Sequence, residues 1–178
     1  MNKTTMAVLD LKYYGNPILR KVAKPVENID GEIVKFAEDL IRTMQVNNGI
    51  GLAANQVGRD IRIYAVDPSV IDMSEEPFVL INPQIITTEG EQSGEEGCLS
   101  FPGLFETVAR PERVIVEALG VNEKPVRIER DGLMARVLLH EYDHLEGKLF
   151  IDYFGLLKKQ LVNKRLQKLK AGDLEVFR

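Results

Sequence analysis

Thiol and imidazole groups are scarce in this chain: one cysteine, Cys98, and two histidines, His140 and His144, among 178 residues. A single cysteine cannot close an internal disulfide, so the framework of a small secreted domain is excluded. No apolar run reaches the roughly 20 residues that a membrane span needs. The opening stretch, MNKTTMAVLDLKYYG, has no apolar segment of signal-peptide length and runs into charged sequence. Internal repeats and low-complexity blocks are missing, and no segment follows the phosphate-loop pattern G-x-x-x-x-G-K-[ST]. The net charge of −4 argues against wholesale binding to DNA or to an anionic membrane. What remains is a globular protein whose default compartment is a bacterial-type cytoplasm.

Hydrophobic content of 44% and charged content of 28% are ordinary for such a protein. The length fits one domain, residues 1–178, able to bury a real core. Residues 31–46, GEIVKFAEDLIRTMQV, repeat apolar side chains at helical spacing behind Asp30, a plausible N-cap, and stop at Asn47-Asn48-Gly49. Segments 61–67, 77–86, 113–119 and 124–130 are β-branched and bounded by Pro, Gly or Asn, which predicts strands. The polar, acidic run 87–97, TTEGEQSGEEG, reads as a surface connection. Further helices are expected at about 131–146, stopped by Gly147, and at about 155–170. Strands first and the main helix late predict an α+β fold rather than repeating βαβ units.

The chemistry concentrates in LLHEYDHLEG, residues 138–147. Side chains four apart on a helix lie about 40° apart around the axis and about 6 Å along it, so His140 and His144 can aim at one ion. Glu141, about 100° round from His140, can lean over a water on that ion without ligating it. Neutral imidazoles that hold a divalent ion, with a carboxylate to move the proton, suit hydrolysis. The bland alternative is a helix with two unrelated polar residues. A third histidine in the pattern H-E-x-x-H-x-x-G-x-x-H would fall at position 150. That position is Phe150, and no other histidine exists.

The missing ligand is therefore a carboxylate or the one thiol. Cys98, in EEGCLS beside Gly97, is on its own more simply a small buried hydrophobe. A His₂Cys set with water in the fourth position is nevertheless a credible catalytic centre, and its thiolate makes ferrous iron a candidate beside zinc. A third stretch, GIGLAANQVG at 49–58, packs small residues after a helix and lets backbone approach a ligand closely. Gln56 there offers an amide to an oxyanion. An ordinary glycine-rich turn that begins a strand is the simpler account of that stretch alone.

Taken together, the three stretches resemble the peptide deformylase family. Its signatures run G-Φ-G-Φ-A-A-x-Q, E-G-C-Φ-S and H-E-x-x-H, matched here at Gly49–Gln56, Glu96–Ser100 and His140–His144. Flanking GNPILRKVAKPV, Pro102-Gly103, Arg110, Asp131-Gly132-Leu133 and GKLFIDYF extend the likeness over essentially the whole chain. The resemblance implies β-sheets packed around a central metal-binding helix, with helices towards both ends. It implies removal of the N-formyl group from the initiator methionine of new peptides. Cys98, His140 and His144 would bind one divalent metal, Fe2+ natively in many members, with Zn2+, Ni2+ or Co2+ as alternatives. Glu141 would be general base and then acid, with the Gln56 side chain and the Leu99 backbone N–H as oxyanion hole. Backbone around Ile50, Gly51 and Gly97 would hold the peptide as an added strand. Ile50, Glu96, Leu133, Val137 and His140 would shape the methionine pocket. Two rival readings are a general H-E-x-x-H metallopeptidase and an inactive metal-binding relative.

Three positions depart from the family's pattern. Leu139 stands where glutamine usually precedes the first metal histidine, which removes a hydrogen bond that supports the ligands. Phe105 replaces an arginine near the substrate mouth. Arg136, four residues before His140, replaces an apolar pocket residue, and it either snorkels outward or narrows and polarises the pocket. The last segment, FGLLKKQLVNKRLQKLK, has basic residues but no acid. Leu157, Leu161, Val162, Leu166 and Leu169 give it helical amphipathicity. In some family members this helix approaches the ribosome, and a basic face meeting RNA phosphates is physically reasonable. The alternative is a solvated face that balances an acidic body.

Overall fold

The structure is a computed structural model that describes residues 6–174. The two ends of the expected single domain, 1–5 and 175–178, lie outside the described residues. The first long helix, α1 (Gly31–Val46), begins where the Asp30 carboxylate accepts from the amides of Glu32 and Ile33 at 2.9 and 3.0 Å. That cap satisfies donors the first turn leaves orphaned. Ile33, Phe36, Ala37, Leu40 and Met44 form its buried stripe, and Asn48, at φ 56°, turns the chain away.

Strands β1 (Gly51–Ala53), β2 (Ile63–Val66) and β3 (Phe78–Glu89) follow, and α1 packs its stripe against them. With β6 (Arg113–Leu119) and β7 (Pro125–Asp131) they form one antiparallel sheet in the order β1-β2-β3-β6-β7. In β6, Val114, Val116 and Ala118 alternate inward, the period-2 signature of a half-buried strand.

Between β3 and β6 the expectation of a surface connection fails. β3 runs on to Glu89, and β4 (Gln92–Cys98) pairs with β5 (Phe101–Arg110) as a separate two-stranded sheet. Glycine and glutamate give β4 little strand propensity of its own. Its ladder with β5, which buries Phe101, Leu104 and Val108, makes the strand. The register shifts between Gly97 and Cys98, so Gly97 opposes Phe105 while Cys98 opposes Phe101. Gly103, at φ +66°, lies in the displaced segment. Such irregularities re-aim a side chain, here the thiol.

Helix α2 (Gly132–Leu145) is buried on nearly every side and packs on β2, β3 and β6 through Met134, Ala135, Leu138 and Leu145. A helix buried all round belongs at the centre of a fold. Gly147 stops it at φ +68°, and a Cβ there would come within 2.5 Å of the Arg20 carbonyl oxygen. Helix α3 (Leu156–Lys170) corrects the expected stripe. Val162, Leu166 and Leu169 are buried, whereas Leu157 and Leu161 are 71% and 74% exposed. Position 161 is one residue, about 100°, from the packed row and so faces away. Among the described residues no helix is long and apolar enough to cross a membrane. The architecture is α+β.

Candidate metal centre

One turn of α2 and the end of β4 meet to build the site. His140 and His144 project from α2, and the thiol of Cys98 arrives from the register shift in β4. The candidate ligand atoms of the three residues lie within 4.8 Å of one another, with Cys98 Sγ 3.3 Å from His144 Nε2. Sulfur and nitrogen on a tetrahedral ion would stand about 3.5 Å apart. The donor set and spacing therefore fit a divalent cation.

His140 is oriented by what lies behind it. Its Nδ1 donates to Glu96 Oε2 at 2.9 Å, which turns Nε2 towards the other two groups. A carboxylate behind an imidazole fixes tautomer and ring angle and raises ligand basicity. Glu96 is itself saturated. Arg110 donates from Nε at 2.8 Å and from Nη2 at 3.0 Å, and Arg136 donates from Nη1 at 2.8 Å. Burial opposes ionisation of Glu96, but the His140 and Arg110 hydrogen bonds outweigh it and hold the carboxyl at about 2. His144 is pushed down by burial and then by the neighbouring His140, which favours the neutral form that can bind a cation. Its Nδ1 has no hydrogen-bond partner among the described residues. Leu139 does not assist: it is buried in the apolar core.

Glu141 follows the first histidine into a wholly buried position. Burial pushes its carboxyl up to about 7, with Glu96 adding to the rise and His140 opposing it. Oε2 has no partner among the described residues, and Oε1 rests over Gly51, where an added Cβ would stand 2.3 Å away. A carboxyl of that pKa can both take and return a proton near neutrality. Gln56 is held from the other side. Its Oε1 accepts from the Ala53 amide at 2.8 Å, so Nε2 faces Cys98 Sγ at 3.4 Å and Ser100 Oγ at 3.2 Å. The glycines of GIGLAANQ thus serve close approach: Gly49 meets the Leu99 side chain, and Gly51 meets Glu141.

A cavity of about 520 Å³ opens over these groups. Ile50, Gly51, Gln56, Glu96, Gly97, Cys98, Leu99, Leu133, Val137, His140 and Glu141 all line it, which gathers every residue singled out except His144, 1% exposed behind them. Phe105 stands 60% exposed at the rim with its ring laid over Gly97.

The family model for polypeptide deformylase matches residues 8–160. This chain belongs to the polypeptide deformylase family. The peptide deformylase of Alkalilimnicola ehrlichii is 46% identical over 176 residues, 96% of each chain. That of Thermodesulfovibrio yellowstonii is 46% identical over 165 residues, 93% of this chain and 100% of the relative. A solved peptide deformylase from Legionella pneumophila superposes with a TM-score of 0.86 at 41% identity, covering 93% of this chain and 96% of that one. Neither a general metallopeptidase nor an inactive scaffold finds support in these likenesses. The deformylase family is metal dependent, in keeping with the donor set.

Against that family background the supporting network is the part that sequence reasoning underreads. Arg136 does not snorkel: it is 4% exposed and turns into the Glu96 cluster. Arg110, noted only as a flanking match, also reaches Asp143, which accepts a 2.8 Å hydrogen bond from the Tyr153 hydroxyl. The signal for Asp143 lies inside H-E-Y-D-H, where an acid between two histidines on a buried helix needs a cation. Asn55 Nδ2 donates to the His144 carbonyl at 2.5 Å and pins the end of α2.

Proposed function

We propose that this chain, as one catalytic domain, removes the N-formyl group from the initiator methionine of new peptides, with Cys98, His140 and His144 holding one divalent ion. The observation that carries this reading is that Cys98, His140, Glu141 and Gln56 line one cavity, with His144 behind them completing the trio. The bound ion supplies Lewis acidity and lowers the pKa of water towards ~7. A thiolate among the ligands suits Fe2+, with Zn2+, Ni2+ or Co2+ as substitutes. Glu141 takes the proton released as the water oxygen bonds to the formyl carbon. It returns that proton to the amine nitrogen as the carbon–nitrogen bond breaks, and formate leaves. The Gln56 amide and the Leu99 backbone N–H stabilise charge on the formyl oxygen.

Backbone at Ile50, Gly51 and Gly97 receives the peptide as an added strand. Val137, Leu133 and the edge of Glu96 border the methionine side chain. The site of action is the cytoplasm. Six basic residues and no acid on α3, Lys158, Lys159, Lys164, Arg165, Lys168 and Lys170, favour ribosomal RNA as a second contact. Salt-dependent co-sedimentation with ribosomes tests that contact.

Anaerobically purified protein is expected to release formate from formyl-Met-Ala-Ser and to lose activity on exposure to peroxide, since iron and thiolate both oxidise. No formate from the iron, nickel and cobalt forms alike would overturn the assignment.

A further inference from the structure

The three candidate ligands come from two bodies. Cys98 belongs to the β4–β5 sheet, which among the described residues forms no ladder with the five-stranded sheet, and both histidines belong to α2. How well the trio fits a cation therefore depends on what fastens that hairpin to the helix. Arg110 grips Glu96 twice, but both residues are on the hairpin, and its link to the helix runs through Asp143. Arg136 is different. One turn before His140 on α2, it sends a single guanidinium across both strands of the hairpin. Nη1 donates to Glu96 Oε1 and to the Val108 carbonyl, each at 2.8 Å, and Nη2 reaches the Gln92 carbonyl at 3.4 Å.

The fit on the hairpin side is close. A Cβ on Gly94 would lie 3.1 to 3.3 Å from the guanidinium, so the group lies directly on glycine backbone. With Arg136 in place, Glu96 accepts four hydrogen bonds, two on each oxygen, the full capacity of a carboxylate. Glu96 and Asp143 then share one buried cluster with Arg110 and Arg136, two acidic and two basic side chains.

We infer that Arg136 is a positioning residue: by bridging α2 to Glu96 and the β4–β5 backbone, it sets how firmly the Cys98–His140–His144 trio retains a divalent cation. The inference rests on reading that trio as the metal ligands. Of the two sequence-based alternatives, the solvent-facing arginine is excluded by its burial, whereas the inward one stands, since Arg136 also lines the cavity.

The test uses full-length protein loaded with Co2+, whose visible absorption reports the ligand field, and challenged with excess chelator. Arg136→Met keeps the length and removes every donor. It is expected to release Co2+ about tenfold faster, the lower end of what loss of such outer partners costs, and to change the absorption bands. Arg136→Lys is expected to recover part of the retention. Met134→Ala, a buried cut on the same helix away from Glu96, should lower the melting temperature yet release Co2+ at the parent rate. Gly94→Ala approaches from the hairpin, keeps the arginine and pushes the guanidinium aside; faster release is expected here too, should Arg136→Met not fold. Parent-like release from Arg136→Met, or from Gly94→Ala where only that variant folds, overturns the inference. So does equal acceleration by Met134→Ala. Because the readout is Co2+ release, the outcome is independent of whether the parent liberates formate.

Discussion

The carboxylate of Glu141 lies on the Cα of Gly51: a Cβ there would meet Oε1 at 2.3 Å and both Cγ and Cδ at 2.7 Å. Gly51 has an ordinary negative φ, so the demand for glycine is one of space and not of backbone conformation. Gly51→Ala is expected to fold with the parent's melting temperature within a few degrees. It should lose about a hundredfold in kcat, because the carboxylate must swing by about an ångström. Steady-state formate release with circular dichroism checks both halves. An unchanged kcat would show that Glu141 works from another position.

Glu141→Gln removes the proton carrier and keeps the shape. Formate release should fall by at least 10²–10⁴-fold, the span assigned to general acid–base catalysis. Metal content per chain should stay at the parent's value, since Glu141 supplies no ligand atom to the trio. Loss of the metal together with the activity would instead make Glu141 part of the binding set.

Arg110 is 4% exposed between Glu96 and Asp143. Arg110→Met would leave two buried carboxylates without their shared cation. Breaking a buried pair from one side costs about 3–5 kcal/mol, and urea unfolding should show a loss of that size. A loss below about 1 kcal/mol would mean that Arg136 and the Tyr153 hydroxyl suffice to hold both acids.

At a second polar clamp, Asp152 receives two donors from Arg20 at 2.6 and 2.9 Å and the Leu149 amide at 2.9 Å. Burial raises its pKa, but the Arg20 and Leu149 hydrogen bonds outweigh burial and leave it below the ordinary 3.8. A carboxyl depressed on folding stabilises the protein fully above its unfolded pKa, and that contribution fades as pH falls through the folded value. Asp152→Asn should therefore be less stable than the parent at pH 7, by about 1 kcal/mol or less at so exposed a site. The gap should close below about pH 4. Denaturant midpoints across that range decide it, and a gap that persists at pH 2 would assign the effect to packing.

The parts of the fold that can be read from sequence are those carried by local signals. Asp30 and the Ile33–Met44 spacing define α1, and the two histidines at i and i+4 define the working face of α2. Phe150 leaves no third histidine and narrows the missing ligand to a carboxylate or the one thiol, and the resemblance to the deformylase family is what singles out Cys98. What escapes is non-local. TTEGEQSGEEG has the composition of a loop, yet pairing with β6 makes its first three residues the end of β3, and pairing with the apolar-faced β5 makes a strand from Gln92 onwards. Arg136 carries no signal of direction, since a long side chain at the edge of a cavity turns inward only if acceptors wait there. Those acceptors, Glu96 and the carbonyls of Val108 and Gln92, are 28 to 44 residues away in the chain. In α3 the leucine pattern promises a broader buried stripe than the neighbouring elements can cover.

The division of the trio between hairpin and helix would make a bound ion a staple as well as a reagent. A cation seated there cross-links residues 98 and 140, drawn from layers that otherwise meet through side chains. At a concentration a thousandfold above its dissociation constant it would add about 4 kcal/mol to the assembled state. The β4–β5 hairpin would then be the region whose resistance to local opening rises and falls with metal supply.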